Sequence, residues 1–152
     1  MKIEIIGRVV RGRGYGRQLG FPTANLDRRE YSRRKLKIKL GVWAGNVQIL
    51  PPRRKRPFPP NIGGELKGVY KGGVVIGPLD DKGLPKIEAH LLGFKGNLYS
   101  KKISLQLVKY IRPFKKFKSE KALKSQIRKD IFLIKKLIPN AQLSISNKKV
   151  GK

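Results

Sequence analysis

Three glycines at alternate positions, Gly12, Gly14 and Gly16, are followed closely by Gly20 and by Thr23 and Asn25 behind a proline, in the run RGRGYGRQLGFPTAN at residues 11–25. Glycines let a backbone approach a ligand closely and turn its amide hydrogens toward an anion. A hydroxyl and an amide two residues apart are hard oxygen donors, of the kind that hold Mg²⁺ alongside phosphate oxygens. The combined chemistry is that of a metal-bound phosphate ester. The loop is not a Walker loop, because the Lys-Ser/Thr ending is missing, and no helix pattern follows it as a dinucleotide fingerprint requires. Read one at a time, these residues have ordinary explanations: glycines between strands are most often turns, Pro22-Thr23 is a turn, and Asn25 is an Asx-type cap.

A second candidate lies far along the chain. One of the nine acidic residues, Glu88, is set within the apolar strand Ile87-Glu-Ala-His-Leu91. Alternation puts Glu88 and His90 on one face and Ile87, Ala89 and Leu91 on the other. A carboxylate so held can accept the proton of an attacking alcohol, the one acid–base task in phosphoryl transfer, which otherwise relies on positioning and charge neutralisation. An isolated acid on a strand is more commonly solvent-facing. His90, the lone histidine, reads better as a hydrogen-bonding neighbour of Glu88 than as the base. With no cysteine and one histidine, thiolate metal sites, disulfides, cysteine nucleophiles and multi-histidine metal sites are excluded.

These residues need a scaffold of short strands. Residues 2–10 alternate, with Ile3, Ile5, Gly7 and Val9 on one face. A polar basic stretch to Lys39 reads as loop. Residues 41–50 (GVWAGNVQIL) form a second strand with Val42 and Ala44 on one face and Trp43 and Gly45 on the other. Residues 51–64, rich in proline and basic side chains, are an exposed connector. Residues 68–76 are strand-like but weakened by two glycines, and 78–85 read as a turn. Residues 86–92 and 102–111 are the clearest strands. From Ser119, a good helix N-cap, the period changes: Leu123, Ile127, Ile131, Ile134 and Ile138 form one helical stripe, ended by Pro139. The expected organisation is one domain, residues 1–139, and a flexible basic tail, residues 140–152. Short strands followed by one terminal helix make a β-barrel with a helix packed on it.

The charge stands apart. Thirty-seven basic against nine acidic residues give a formal net charge of +28, a surface that attracts polyanions. It is more than a bound nucleotide needs, and a solvated basic surface is the plain alternative. No run of about 20 apolar residues is present to span a bilayer, and the amino terminus lacks the apolar core of a signal peptide, so the expected location is the cytoplasm.

The run from Gly7 to Asn25, GRVVRGRGYGRQLGFPTAN, resembles the opening signature of the riboflavin kinase family, the kinase module of bacterial bifunctional FAD synthetases. Further blocks follow in the family's order: Gly41-Val-Trp-Ala44, Ile87-Glu-Ala-His-Leu-Leu92, Gly96-Asn-Leu-Tyr99, Ile111-Arg-Pro113 with Lys116-Phe117, and the helix from Ser119 to Asp130. The resemblance covers about residues 3 to 135. It implies a mainly β fold, a six-stranded Greek-key β-barrel with a C-terminal α-helix packed on it. It implies transfer of the ATP γ-phosphate to the ribityl 5′-hydroxyl of riboflavin, giving FMN and ADP. It further implies that Gly12, Gly14, Gly16 and Gly20 shape the ATP loop, that Thr23 and Asn25 sit at Mg²⁺ (or Zn²⁺, which can serve) and the terminal phosphates, that Glu88 is the catalytic base, and that Arg112 and the neighbouring Phe114 lie on the flavin side. The first barrel strand begins by Ile3, leaving no adenylyltransferase half, so FMN is the expected end product.

The sequence also departs from that family. Gly93 and Asn97 replace aspartates, Ser100 a glycine, Phe114 a glutamate after Arg-Pro, and Tyr15 an arginine of the glycine loop. An Asn-Ile-Gly-x-x-Pro-Thr element is reduced to Val75-Ile-Gly-Pro78. These changes fall mainly on the flavin side and leave Thr23, Asn25 and Glu88 intact. A flavin- or nucleotide-binding pseudoenzyme is therefore one rival reading. A basic barrel that binds nucleic acid is the other, supported by Lys/Arg clusters at 53–56, 115–118 and 148–152, although Tyr15, Trp43, Phe58 and Tyr99 show no spacing of a stacking platform.

Overall fold

The alternation at the amino terminus becomes strand β1, Ile3–Val10, with Ile5, Gly7 and Val9 turned inward. A computed structural model describes residues 3–12, 14–52 and 68–138. The tail expected at 140–152, most of the 51–64 connector and the basic clusters at 53–56 and 148–152 lie outside them. The elements after β1 are α1 (Tyr15–Gln18), β2 (Ala24–Leu26), α2 (Arg29–Arg33), β3 (Gly41–Leu50), β4 (Val69–Leu79), β5 (Pro85–Leu91), β6 (Lys102–Arg112) and α3 (Glu120–Leu137). The six strands close into an antiparallel barrel in the order β1-β2-β5-β4-β3-β6. Strands β3, β4 and β5 form a meander, and β6 returns to lie beside β3, which is a Greek key. No helix among the described residues is long and apolar enough to cross a membrane.

Four local expectations change. The glycine loop contains α1, one short turn at Tyr15–Gln18 that is too brief to show a helical period. The PTAN segment, read as a turn, runs into β2, whose three residues are too short a run for their alternation to stand out in sequence. The polar stretch to Lys39 contains α2, whose five residues are too few to display a helical period. It is anchored by Tyr31, which is buried in the barrel core while its hydroxyl accepts a hydrogen bond from the Ile38 amide. Ahead of it, the side chain and backbone amide of Arg29 both donate to Asp27 and, in that order of weight, hold its carboxyl below the usual range. The turn placed at 78–85 narrows to residues 80–84, because β4 continues through an irregularity after Ile76 to pair Leu79 with Pro85. Asp80 organises that turn by accepting from the Lys82 and Leu84 amides, and Arg28 pairs with it at 2.5 Å.

Inside the barrel, Ile5, Val47, Val74, Ile76, Ile103 and Leu105 are almost wholly removed from water. Their packing is the principal folding force, since buried apolar area contributes about 25 cal/mol per Å². A smaller cluster lies outside the barrel wall, where Ile134 of α3 and Ile138, the residue that caps its C-terminus, cover Ala44 of β3. The glycines that weaken β4 as a strand allow this docking: a Cβ on Gly73 would press on the Ile134 side chain at 3.0 Å. Ser119 caps α3 as its sequence suggests, accepting from the Ala122 amide at 3.1 Å.

A buried ion pair fastens α3 to the barrel. The Arg112 guanidinium, at the end of β6, donates from Nε and Nη2 to both oxygens of Asp130, at 2.8–3.1 Å, and Gln126 adds a bond of 2.9 Å from its own helix. The two side chains are 15% and 9% exposed. Removing one partner of such a pair leaves an uncompensated buried charge and costs about 3–5 kcal/mol, whereas replacing both by apolar groups of similar volume is often close to neutral. Arg112→Ala should therefore lower unfolding stability by roughly 3 kcal/mol, and the double variant Arg112→Met/Asp130→Leu should recover more than half of that loss. Denaturant titration of both variants checks the pair as the fastening.

Candidate active site

Glu88 lies on β5 between Asn25 of β2 and Val75 of β4. On β5 the outward residues are Lys86, Glu88 and His90, one row on one face, as their spacing requires. Strand β2 pairs with β5 in a register that sets Asn25 opposite Glu88 and Ala24 opposite Ala89. Thr23, one residue before β2, donates its hydroxyl hydrogen to Glu88 Oε2 at 3.2 Å, and Lys86 Nζ lies 2.7 Å from Oε1. Both carboxylate oxygens are thus engaged. His90 holds the other end of the row: its Nδ1–H donates to the Pro22 carbonyl at 2.7 Å, and its ring meets Phe21 edge-on. It is a neighbour of Glu88 that fixes the PTAN segment in place.

The glycine loop wraps the same point. A Cβ on Gly12 would fall on the Asn25 amide, and one on Gly16 would strike the Phe21 carbonyl at 2.5 Å, so the backbone passes here without room for side chains. Gly14 has a positive φ of 73°. The amides of Phe21 and Gly20 close the turn onto the carbonyls of Gly16 and Arg17.

Two cavities meet at Thr23. The larger, of about 880 Å³, is bordered on the barrel side by Gly14, Gly16, Thr23, Asn25 and Glu88, and by Leu123, Ile127 and Ile134 from α3. Arg112, Phe114 and Phe117 also line it. Its size is that of a small-molecule site, and its mostly apolar lining with a few convergent polar groups is the usual composition of one. The smaller, of about 250 Å³, shares Thr23 as a lining residue and lies against Phe94, Leu98, Tyr99, Arg17 and Lys95. At its edge the Arg11 guanidinium sits 5.2 Å from the centroid of the Tyr99 ring.

Of the residues singled out from sequence, Gly14, Gly16, Thr23, Asn25, Glu88, Arg112 and Phe114 border one cavity, and Gly12 packs against Asn25. Gly20 closes the turn beyond α1 and does not border it. Arg112 makes its bonds to Asp130 and to the Pro113 carbonyl. Three features escaped the sequence reading. Asp130 falls within the apolar stripe of α3, between Ile127 and Ile134, and an acid there calls for a buried cation. Lys86 shares the face of Glu88 by the same two-residue period. The aromatic wall of Phe94 and Tyr99 carries no comparable signal, because the two are five residues apart in a loop.

Comparisons with known proteins bear on this arrangement. A family model described as riboflavin kinase (Flavokinase) matches residues 1–138. The chain is 33% identical over 133 residues to the bifunctional riboflavin kinase/FMN adenylyltransferase of Buchnera aphidicola subsp. Schizaphis graminum (strain Sg), covering 88% of this chain and 38% of that protein. It is 31% identical over 146 residues to the RNA-binding riboflavin kinase RibR of Bacillus subtilis (strain 168), covering 95% of this chain and 55% of that one. This chain therefore spans between 38% and 55% of the length of these two relatives. Among solved structures, riboflavin kinase from Trypanosoma brucei superposes with a TM-score of 0.62 over 94% of this chain and 81% of its own, at 24% identity, a likeness of fold.

The crowding at Gly12 gives a test of the loop. Gly12→Ala drives a methyl group into the Asn25 amide, and overpacking of this kind costs about 1–3 kcal/mol. The variant should unfold at lower denaturant than the parent. Gly14→Ala, where a Cβ meets open space, should lose only the smaller cost of its positive φ.

Proposed function

The chain belongs to the riboflavin kinase family, and from that membership we propose that it transfers the γ-phosphate of ATP to the 5′-hydroxyl of riboflavin's ribityl chain, giving FMN and ADP. The observation that carries the reading is the position of Thr23, which borders both cavities and bonds Glu88. A phosphoryl donor on one side and an acceptor on the other would meet there. The larger, mostly apolar cavity suits a flat tricyclic ring against α3 and Phe114. The smaller one suits a purine beside Phe94 and Tyr99, from which the phosphates would run past Thr23 to the glycine loop at the larger cavity. ATP is the proposed donor, so the proposed compartment is the cytoplasm.

In this reading Gly12, Gly14, Gly16 and Gly20 shape the loop that takes the phosphates, with backbone amides as donors. Thr23 and Asn25 would hold the divalent ion. Their two neutral oxygens beside a phosphate loop fit Mg²⁺, which keeps water and phosphate as most of its ligands, and Zn²⁺ can serve as well. Among the described residues no group of three or more His, Cys, Asp or Glu gathers to form a cage, so the phosphates would complete the coordination. The ion's chemistry is to neutralise charge on the phosphates. Glu88 accepts the proton of the ribityl hydroxyl as its oxygen attacks the γ-phosphorus, the bond to the β-phosphate oxygen breaks, and ADP leaves. Arg112 acts on the flavin side by holding α3 as a cavity wall through Asp130, and Phe114 contributes ring surface.

Incubation with ATP, Mg²⁺ and riboflavin should yield FMN and ADP. Glu88→Gln keeps the size of the side chain and removes the proton acceptor, so kcat should fall by about 10² to 10⁴ while Mg-ATP affinity changes little. Ligand binding without any FMN would favour a pseudoenzyme, and a variant within about threefold of the parent would remove Glu88 from the role of base.

A second reading, compatible with the first, is favoured by the outer face of α3. Lys121, Arg128, Lys129, Lys135 and Lys136 are exposed on it, together with Phe132 at 64% exposure. Lys121, Arg128, Phe132 and Lys135 follow one another at helical spacing. A cationic stripe with an exposed ring suits single-stranded nucleic acid, and one relative carries RNA binding in its name. Binding of a single-stranded RNA should weaken steeply with salt, with a log–log slope near −0.7 per phosphate contacted. The charge reversal Lys121→Glu/Arg128→Glu/Lys135→Glu should abolish it and leave FMN formation in place. Binding that persists in that variant would remove α3 as the interface.

A further inference from the structure

Glu88 has two side-chain partners among the described residues, and they differ in kind. Thr23 is fixed, since it sits between Pro22, whose carbonyl is held by His90, and β2. Lys86 is not: its side chain is 47% exposed, against 23% for Glu88, and its only ion pair among the described residues is to Oε1 of Glu88. A proton acceptor needs a free oxygen. One of the two bonds has to open before Glu88 can take the hydroxyl proton, and an ammonium on a flexible four-carbon stem is the group that can leave. Lys86 also borders the larger cavity beside Glu88, the place where a transferring phosphoryl group would develop negative charge.

We propose that Lys86 is a mobile counter-ion of the reaction, which rests on Glu88 in the absence of nucleotide and moves to the γ-phosphoryl oxygens when ATP binds. The proposal rests on the kinase reading above. The move does two things at once: it frees Oε1 to accept the ribityl hydroxyl proton, and it sets a third positive group, besides the metal and the loop amides, against the phosphoryl in flight. As the hydroxyl oxygen bonds to phosphorus and the β–γ bridging bond breaks, the proton goes to Glu88, ADP leaves with the bridging oxygen's electrons, and Lys86 remains protonated throughout. Because it would touch the γ- but not the β-phosphate, Lys86 would also make the site prefer ATP to ADP.

Lys86→Met keeps the apolar stem and removes the charge, and Lys86→Arg keeps the charge. The site is half exposed, so neither should disturb folding. Calorimetry with Mg²⁺ and either ADP or a non-hydrolysable ATP analogue measures nucleotide preference, and FMN formation measures kcat. Loss of one charge-assisted contact corresponds to about a tenfold change in affinity. Lys86→Met should therefore bind the ATP analogue about tenfold more weakly with ADP affinity unchanged. It should lower kcat by about 10², as loss of one transition-state donor does, and Lys86→Arg should restore most of both. If the parent forms no FMN, the kinase reading fails, and the nucleotide preference still decides the role of Lys86. A Lys86→Met protein that keeps the parent's preference for the ATP analogue over ADP overturns the proposal and leaves Lys86 an ordinary surface ion pair.

Discussion

The barrel closes through a strand of three residues, and the candidate site depends on that closure. Among the described residues, Ala24–Leu26 is the strand that links β1 to β5: it pairs Val9 and Val10 on one side and Glu88 and Ala89 on the other. Its register fixes which residue of the PTAN segment faces the carboxylate. Because side chains alternate along a strand, a slip of one residue would turn Asn25 from Glu88 and bury a polar group in place of Ala24 or Leu26. So short a strand has little pairing strength of its own. It is held by what surrounds it: Leu26 in the core, the His90 bond to Pro22, and the Gly12 backbone lying against Asn25.

The second constraint is the seating of α3. An 18-residue helix covers one side of the large cavity, and three contacts hold it there: Ile134 against Gly73, Ile134 and Ile138 over Ala44, and Asp130 on Arg112. The helix is thus bound to strands β3, β4 and β6 while its Leu123 and Ile127 look into the cavity. Flavin recognition and helix docking would use the same surface. Changes at Arg112 should therefore be read together with stability before they are read as lost contacts to a ligand.

Much of this was legible in the sequence, where the signal was periodic or chemical. The alternation of Ile3, Ile5, Gly7 and Val9 gave β1, the Ile87–Leu91 run gave the face that carries Glu88, and Ser119 with its following stripe gave α3. The ordered blocks from Gly7 to Asp130 gave the family, and with it the closed barrel, which no local pattern could supply because strand order is set by non-local pairing. What escaped was short or tertiary. The elements β2, α1 and α2 span three to five residues, fewer than any period needs. Arg112, expected on the flavin side, does border the large cavity, but nothing near it in sequence announces that its ion-pair partner lies 18 residues on in a helix. The signal was at the other end: an aspartate within an apolar stripe.

In the proposed reaction, donor and acceptor reach Glu88 from two cavities that share Thr23. The most direct test is a crystal structure of the chain with riboflavin, Mg²⁺ and a non-hydrolysable ATP analogue. The flavin ring should lie in the large cavity against α3, with the adenine beside Tyr99 and the ribityl 5′-oxygen within about 3 Å of Glu88. A structure with both ligands in one cavity, or with the 5′-oxygen out of reach of the Glu88 carboxylate, would contradict it.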